Sequence, residues 1–451
     1  KIKDDRIVKS SVIDELAYTA ALGEAGEKQK AIFLIMTAAR KLGIYPASIQ
    51  GLYEAIGNDE VSGFTVPAFN IRTLTYDTAR TIFNIAQKLD CAAFIFEIAR
   101  SEMSYTEQSP DEYSAVILAA AIKEGWRGPV FIQGDHVQVS PTRYKENPAK
   151  EIENIKSLIK AEIMAGFYNI DIDCSTMVDL NAENLMEQQR INSRLTATFL
   201  KFIRSIQPSG ITISVGGEIG EVGGKNSTPE EFEAFMEGII SETEGQFPYP
   251  LISKISVQTG TSHGGIPLPD GKIAEVKLDF SVLKNIGKVA KRKYRLSGTV
   301  QHGASTLPEE FFDLFPQNYT SEVHLATGFQ NIFYDHPSLP LELKNEMIDY
   351  VKLQHISEKK HGETDAQFFY RMRKHALGPF KKKILGLDSG IKSEIMDSMR
   401  KKFEIIFNKL NVLGTRQIVQ STIPETSVDV FPDRNLLKGY GFISEKEYVG
   451  E

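Results

Sequence analysis

The sequence predicts an α/β fold, a (β/α)8 TIM barrel with a helical extension at each end. Eight runs of β-favouring residues alternate with stretches of helical periodicity, in units of roughly thirty to forty residues. Polar residues capable of chemistry stand at the end of every one of these runs. The rival fold, an open doubly wound sheet, normally uses fewer strands and carries Gly-x-Gly-x-x-Gly after the first one, and this chain shows no such turn.

The predicted elements follow one another regularly along the chain. The predicted strands are Phe64–Asn70, Ala92–Ile98, Pro129–Gly134, Tyr168–Asp173, Ile211–Ile219, Lys254–Thr259, Leu296–Gln301 and Ser321–Thr327. The helical stretches between them include Thr75–Leu89, Ala149–Ala165, Leu185–Ile206 and Pro229–Ile240. We place a helical extension at residues 1–47, the catalytic barrel at 48–335, and a C-terminal helical extension and tail at 336–451.

Composition narrows the class of protein. The 41% hydrophobic and 25% charged content is ordinary for a globular protein, and the formal charge of −7 disfavours a nucleic acid or an anionic membrane as partner. Cys91 and Cys174 lie in apolar, strand-like runs, which indicates buried reduced thiols rather than a disulfide framework. Apolar runs are too short to span a membrane and no signal peptide opens the chain, so we expect a cytoplasmic protein.

The strand ends indicate where chemistry takes place, because barrel active sites lie at the carboxyl ends of the strands. The predicted ends carry Asn70, Glu97, Asp135, His136, Asp171, Asp173, Glu218, His263, His302, His324 and Thr327. Histidines from three strands (136, 263 and 302) can bind one divalent ion and leave a position open for substrate, as catalytic zinc sites do. The alternative for any one of them is a hydrogen-bonded core histidine. Small residues after the late histidines, among them Gly264, Gly303 and Ser305, leave room for backbone N–H groups to approach a phosphate.

These residues carry a resemblance to a known family. The chain resembles class II, metal-dependent fructose-bisphosphate and tagatose-bisphosphate aldolases over about residues 48–335, and more weakly through Lys374–Leu410. The matching motifs are Val66-Pro67-Ala68-Phe69-Asn70, Asp135-His136, Asp173-Cys174-Ser175, Gly217-Glu218-Ile219-Gly220, Gly260-Thr261-Ser262-His263-Gly264 and His302-Gly303-Ala304-Ser305.

The resemblance implies a role for each matched residue. His136, His263 and His302 would bind Zn²⁺ or another divalent transition metal, with Asp173 and Glu218 as acidic groups at the metal. Asp135 would transfer the proton of the C4 hydroxyl. Asn70 would line the metal site, and Gly264, Gly303, Ser305 and Thr327 would contact a substrate phosphate. The implied reaction is cleavage of fructose 1,6-bisphosphate to dihydroxyacetone phosphate and an aldehyde phosphate, a step of glycolysis and gluconeogenesis, by a homodimer or higher homo-oligomer.

The chemistry of aldol cleavage agrees with such a site. Cleavage leaves a carbanion beside a carbonyl group, and a metal ion stabilises that charge as an enediolate. The Schiff-base route would instead need a desolvated lysine at a strand end. We find none there, because Lys254 opens its strand rather than ending it.

Several positions depart from the family pattern. The loop after Gly223-Gly224 looks shortened, and Asn226 falls where the family has a glutamate that exchanges the C3 proton. Glu218 and Asp173 are the nearest candidates by strand position to replace that acid. We favour Glu97, because it stands where the family carries an amide; the alternative for Glu97 is a structural pairing with Arg100 or Arg72. His324 stands where the family has asparagine, and we expect a substitute polar contact to substrate; the alternative is a core residue.

These departures leave two further interpretations of the function open. The chain also resembles the non-catalytic partner subunit of tagatose-bisphosphate aldolase, and an aldolase for another ketose phosphate fits the same residues.

Overall fold

Parallel strands close into a barrel in the computed structural model, which describes residues 10–220, 225–260 and 278–425. The described strands are β1 Ile44–Ala47, β2 Val66–Asn70, β3 Ile95–Ala99, β4 Gly128–Gln138, β5 Asn169–Asp173, β6 Ser214–Glu218, β7 Lys254–Ser256, β8 Thr299–Gln301 and β9 Thr320–Leu325. Strands β2 to β9 pair in sequence order, and β9 pairs with β2. This closed eight-stranded parallel barrel with surrounding helices confirms the predicted (β/α)8 fold.

Helices follow the strands and form both extensions. The described α-helices are Ser11–Leu22, Ala25–Lys41, Gln50–Gly57, Thr75–Lys88, Arg100–Thr106, Pro110–Glu124, Pro141–Glu146, Pro148–Ala165, Leu185–Ile206, Pro229–Thr243, Phe280–Tyr294, Thr327–Asp335, Leu341–His355, Asp365–Met372, Lys381–Leu385, Ser389–Lys409 and Arg416–Thr422. Sequence signals explain the start of the helix Pro229–Thr243: Thr228 is its N-cap, Pro229 is its first residue, and Glu231 completes a capping box with Thr228. Among the described residues, no helix has the length and apolar character needed to cross a membrane.

One part of the N-terminal segment is not helical, contrary to the sequence prediction. Ile44–Ala47 forms β1, which pairs in parallel with the first residues of β4, from Gly128 to Phe131. The barrel neighbour β5 pairs only further along β4, from Gln133. The free edge at the start of β4 therefore accepts an extra short strand. Pro46 suits such a position, since it has no N–H to donate to a ladder.

The main core lies between the strands and the helices outside them. Phe69 of β2 makes edge-to-face ring contacts with Phe403 and Phe407 of the helix Ser389–Lys409, with ring centroids 5.2 Å and 5.8 Å apart. The C-terminal extension thus covers the outer face of β2. The next residue, Asn70, points the other way because successive strand side chains alternate.

The barrel interior is polar, whereas such interiors are usually filled by Val, Ile and Leu. Glu97, Gln133, Lys254 and Glu322 come from four different strands, and each is at most 1% exposed. They contact one another directly: Gln133 donates to Glu97 and Glu322, and Lys254 donates to Gln133. A charged, hydrogen-bonded network therefore lies beneath the barrel mouth.

Candidate active site

An irregularity in β4 presents Asp135 and His136 at the barrel mouth. Pairing of β4 with β5 is regular up to Gly134 and resumes at Val137, so the strand carries a bulge between them. His136 has φ 42°, in the left-handed region that few non-glycine residues adopt. Bulges re-aim side chains beside active sites. The sequence prediction ended this strand at Gly134, but the strand continues past the bulge to Gln138.

His136 lies between carboxylates from the two following strands. Its Nδ1 is 3.3 Å from Oδ2 of Asp173 and 3.2 Å from Oε2 of Glu218. Burial alone would lower the pKa of His136, but the charges of Asp135 and Glu218 outweigh burial and raise this pKa well above its usual value. The predicted acidic positions at Asp173 and Glu218 therefore meet the predicted histidine.

His302 directly follows β8 and belongs to the same cluster, where it contacts His136 and Glu218. Its ring centroid is 4.1 Å from that of His136, and its Nδ1 is 3.6 Å from Oε1 of Glu218. Burial, followed by the charges of His136 and His324, lowers the pKa of His302 well below its usual value. This favours the neutral imidazole of His302, whereas the raised pKa of His136 favours the protonated ring, which has to lose its proton when a metal ion binds. His263 and Gly264 lie outside the described residues.

The donor atoms of this cluster are close enough to share one ion. Asp135, His136 and His302 can each offer one ligand atom within 4.8 Å of the others, and the same holds for His136, Asp173 and Glu218. Imidazole nitrogens combined with carboxylate oxygens suit zinc and similar divalent transition metals. The described residues therefore fit the metal that the sequence predicts.

Asp135 is held by hydrogen bonds on both oxygens. Asn70 donates to Oδ2 at 2.8 Å, and Nδ1 of His324 lies 3.0 Å from Oδ1. Burial would raise the pKa of Asp135, yet the charges of His136 and His324 hold this pKa well below its ordinary value. The carboxylate is consequently held in its ionised form.

Glu97 and His324 lie deeper than the sequence analysis expected. Glu97 is fully buried, accepts a hydrogen bond from Gln133 at 2.8 Å, and has Oε1 3.3 Å from Nδ1 of His324. Burial raises the pKa of Glu97 well above its usual value, although His324 partly opposes this. Within the described part of the chain, Arg72 and Arg100 pair with Glu102 and Glu151 rather than with Glu97.

The predicted phosphate contacts converge after β8 and β9. Gly303 has φ 69° and leads into the short 3-10 turn Ala304–Thr306, and the Ser305 hydroxyl accepts a hydrogen bond from Gly328 N at 3.0 Å. Thr327 begins the helix that contains Gly328. Arg72 Nη1 lies 3.3 Å from the Thr327 hydroxyl. The structure thus brings the described phosphate candidates together and adds a guanidinium beside them.

The sequence analysis gave no role in the site to four residues: Arg72, Gln133, Lys254 and Glu322. The Lys254 ammonium group is buried inside the barrel, 2.9 Å from Asp171 and paired with Glu322, although the residue opens its strand. Burial would lower the pKa of Lys254, but these two carboxylates raise it, so the protonated amine is a poor Schiff-base nucleophile. Gln133 and Glu322 stand two residues before Asp135 and His324, on the same strand face, but polar residues that face solvent have the same spacing, so the sequence signal is ambiguous.

Imidazoles and carboxylates lie together at the mouth of a parallel barrel, so the general class of the protein is a (β/α)8 barrel with a candidate metal site. Sequence comparison identifies the family. Residues 52–378 match the family described as fructose-bisphosphate aldolase class-II. The chain belongs to this family, because the match covers well over half of its length. The resemblance inferred from the motifs is confirmed. No curated protein shows significant sequence similarity to the chain.

Solved structures of similar fold share little sequence with the chain. A probable tagatose 6 phosphate kinase from Sinorhizobium meliloti 1021 is 14% identical, with a TM-score of 0.52 over 79% of this chain and 98% of that one. The fructose-bisphosphate aldolase of Campylobacter jejuni is 19% identical, with a TM-score of 0.47 over 82% and 96%. The fructuronate-tagaturonate epimerase UxaE of Cohnella laeviribosi is 12% identical, with a TM-score of 0.46 over 80% and 82%. At these identities the likeness concerns the fold alone.

Proposed function

We propose that the protein is a metal-dependent aldolase that cleaves a ketose bisphosphate to dihydroxyacetone phosphate and an aldehyde phosphate. The observation that best supports this is the convergence of Asp135, His136 and His302, whose potential ligand atoms lie within 4.8 Å of one another. Fructose 1,6-bisphosphate is the proposed substrate, as the family description suggests.

The proposed metal is Zn²⁺ or another divalent transition metal, held by His136, His263 and His302, with Glu218 and Asp173 as further acidic groups. When bound, the ion polarises the substrate carbonyl group and stabilises the negative charge that develops beside it. The carboxylates of Glu218 and Asp173 are within 3.3 Å of His136 Nδ1 and orient its ring.

Asp135 is the proposed acid/base of cleavage. As the C3–C4 bond breaks, its electron pair goes to C3, the C4–O bond becomes a carbonyl, and the C4 hydroxyl proton goes to Asp135. The lowered pKa of Asp135 keeps the carboxylate ionised before cleavage, and it also makes Asp135 a weaker base. Glu97 is proposed to serve proton exchange at C3, since its carboxyl group clusters with Asp135 and His324 within 4.8 Å.

Substrate phosphate is proposed to bind at Gly303, Ser305, Thr327 and Gly264, with Asn70 at the metal side. The hydrogen bond from Gly328 N to Ser305 shows that the segments after β8 and β9 meet. His324 was expected to contact substrate, and the variants of the next subsection test this expectation.

The test is an aldol-cleavage assay over a panel of ketose phosphates, with wild type and Asp135→Asn. We expect cleavage of at least one bisphosphate and a loss of about 100-fold or more in kcat for the variant, the usual scale for a lost general acid/base. Asp90→Asn is the matched control, because this exposed aspartate pairs with Arg416 outside the barrel mouth. Equal turnover by both variants would remove Asp135 from the mechanism.

The same panel separates the alternatives. Cleavage of another ketose phosphate in preference to fructose 1,6-bisphosphate would change the substrate and keep the chemistry. The absence of cleavage with every substrate would favour a non-catalytic partner subunit. A role in glycolysis, a cytoplasmic location and a homodimer or higher homo-oligomer remain proposals, and light scattering in solution tests the last.

A further inference from the structure

The buried network beneath the barrel mouth suggests a role for His324 that rests on the proposed role of Asp135. We propose that His324 is a positioning residue. It is the middle member of a hydrogen-bonded chain, Asp135–His324–Glu322, which connects Asp135 to the rigidly held side chains of the barrel interior. The chain fixes the orientation of the Asp135 carboxylate relative to substrate.

The first link concerns the two oxygens of Asp135. Asn70 donates to Oδ2 at 2.8 Å, and Nδ1 of His324 lies 3.0 Å from Oδ1. Two partners on different strands therefore fix both the rotation and the tilt of the carboxylate. Asn70 is itself held, since it also donates to Glu102 at 2.8 Å.

The second link fixes the imidazole ring of His324. Its Nε2 lies 2.6 Å from Oε1 of Glu322, which stands two residues earlier on the same strand face. The residue is 4% exposed, so its ring has no freedom to rotate toward solvent. A histidine with a carboxylate on one nitrogen presents the other nitrogen in a defined direction.

The third link anchors Glu322. Lys254 and the hydroxyl of Tyr53 both donate to this carboxylate, and Gln133 donates to it at 2.7 Å. Glu322 is fully buried. The chain therefore runs from the floor of the barrel to the mouth through side chains on rigid strands, which hold a reacting group more precisely than loops do.

A deeper metal ion would be an alternative use of the same residues. Asp171, Glu322 and His324 place potential ligand atoms within 4.8 Å of one another. However, the Lys254 ammonium group is 2.9 Å from Asp171 and is paired with Glu322. The ammonium group of Lys254 therefore already balances the negative charge of these carboxylates. For this reason the geometry favours a structural network over a second metal site.

The experiment compares His324→Phe, which keeps a ring without nitrogen, with His324→Asn, which keeps a side-chain N–H donor. We expect kcat of the phenylalanine variant to fall about 10- to 100-fold, the usual scale for residues that orient a reacting group. KM and bound zinc should stay close to wild type, and the asparagine variant should recover part of kcat. A raised KM with kcat retained would overturn the proposal and make His324 a substrate contact. An unchanged kcat would overturn it as well.

A double-mutant cycle tests the proposed hydrogen-bonded chain from Glu322 through His324 to Asp135. Glu322→Gln should lower kcat in wild type but have little further effect in the His324→Phe background, because Glu322 acts through His324. Asp90→Asn is the control: this exposed aspartate pairs with Arg416 outside the barrel mouth, and we expect its substitution to leave kcat unchanged in both backgrounds. Additive effects of the His324 and Glu322 substitutions would overturn the proposed chain.

A structural readout separates this proposal from the proposed function. Crystal structures of zinc-loaded wild type and His324→Asn or His324→Phe should show Asp135 in one rotamer in wild type and in a changed or divided rotamer in the variant. This comparison remains valid if wild type cleaves no ketose phosphate. That result would contradict the proposed function but would leave the positioning role of His324 to be judged from the Asp135 rotamers. An identical Asp135 rotamer in both proteins would overturn the positioning role.

Discussion

We predict that the buried residue Glu162 makes the stability of the protein depend on pH. The direction and size of this effect follow from the surroundings of its carboxyl group. The residue lies on the helix Pro148–Ala165, is 0% exposed, and has no hydrogen-bond partner for either carboxyl oxygen among the described residues. Its carboxyl group packs so closely on Gly134 that a Cβ there would lie 2.7 Å from it. Burial raises the pKa of Glu162 to about 8, with Arg100 opposing the shift.

The sign and the magnitude follow from proton linkage. An unfolded glutamate has a pKa of about 4.3, so between about pH 4.3 and 8 the folded state keeps a proton that the unfolded state releases. Stability therefore falls as pH rises through this window and levels off above it. The raised pKa of Glu162 lowers the free energy of unfolding by about 1 kcal/mol at pH 5 and by about 5 kcal/mol at pH 9, a difference of about 4 kcal/mol.

The substitution Glu162→Gln removes the titrating group while keeping its shape. Urea unfolding at pH 5 and pH 9 should show that the variant gains about 4 kcal/mol on wild type between these two pH values. Glu153→Gln, on the exposed face of the same helix, is the control for removing a carboxylate. A free-energy difference between Glu162→Gln and wild type that is the same at both pH values would refute the reasoning.

Three further predictions concern the barrel mouth and interior. His136→Ala and His302→Ala should each lose bound zinc while keeping the fold, whereas His355→Ala, remote from the cluster, should retain it; metal analysis and circular dichroism check this. Lys254→Met should lower the free energy of unfolding by about 3–5 kcal/mol, because it leaves buried carboxylates without their cation, and urea unfolding measures the loss. Glu97→Gln should slow exchange of solvent tritium into dihydroxyacetone phosphate more than it weakens binding, and an unaffected exchange rate would return Glu97 to a structural role.

The repeated strand–helix pattern made the fold predictable from sequence. Each βα unit carries its own apolar pattern and its own start and stop signals, so all eight barrel strands were placed near their observed positions. The extra strand Ile44–Ala47 was missed because its pairing partner is the start of β4, more than eighty residues away. Local patterns contain no information about such a distant partner.

The site was predictable at the strand ends and unpredictable below them. Asp135, His136 and His302 meet as expected, since closure of the barrel brings all carboxyl strand ends together. A polar residue inside a strand, such as Gln133 or Glu322, has the same two-residue spacing as one that faces solvent. Only the closed barrel shows that these side chains point inward and contact one another.

The most direct test of the central proposal is cleavage of fructose 1,6-bisphosphate by protein stripped of metal and then titrated with zinc. If the proposal is right, chelator abolishes cleavage, and activity returns in proportion to added zinc up to about one ion per chain. Cleavage that persists in excess chelator and does not respond to zinc would contradict the proposed metal-dependent mechanism.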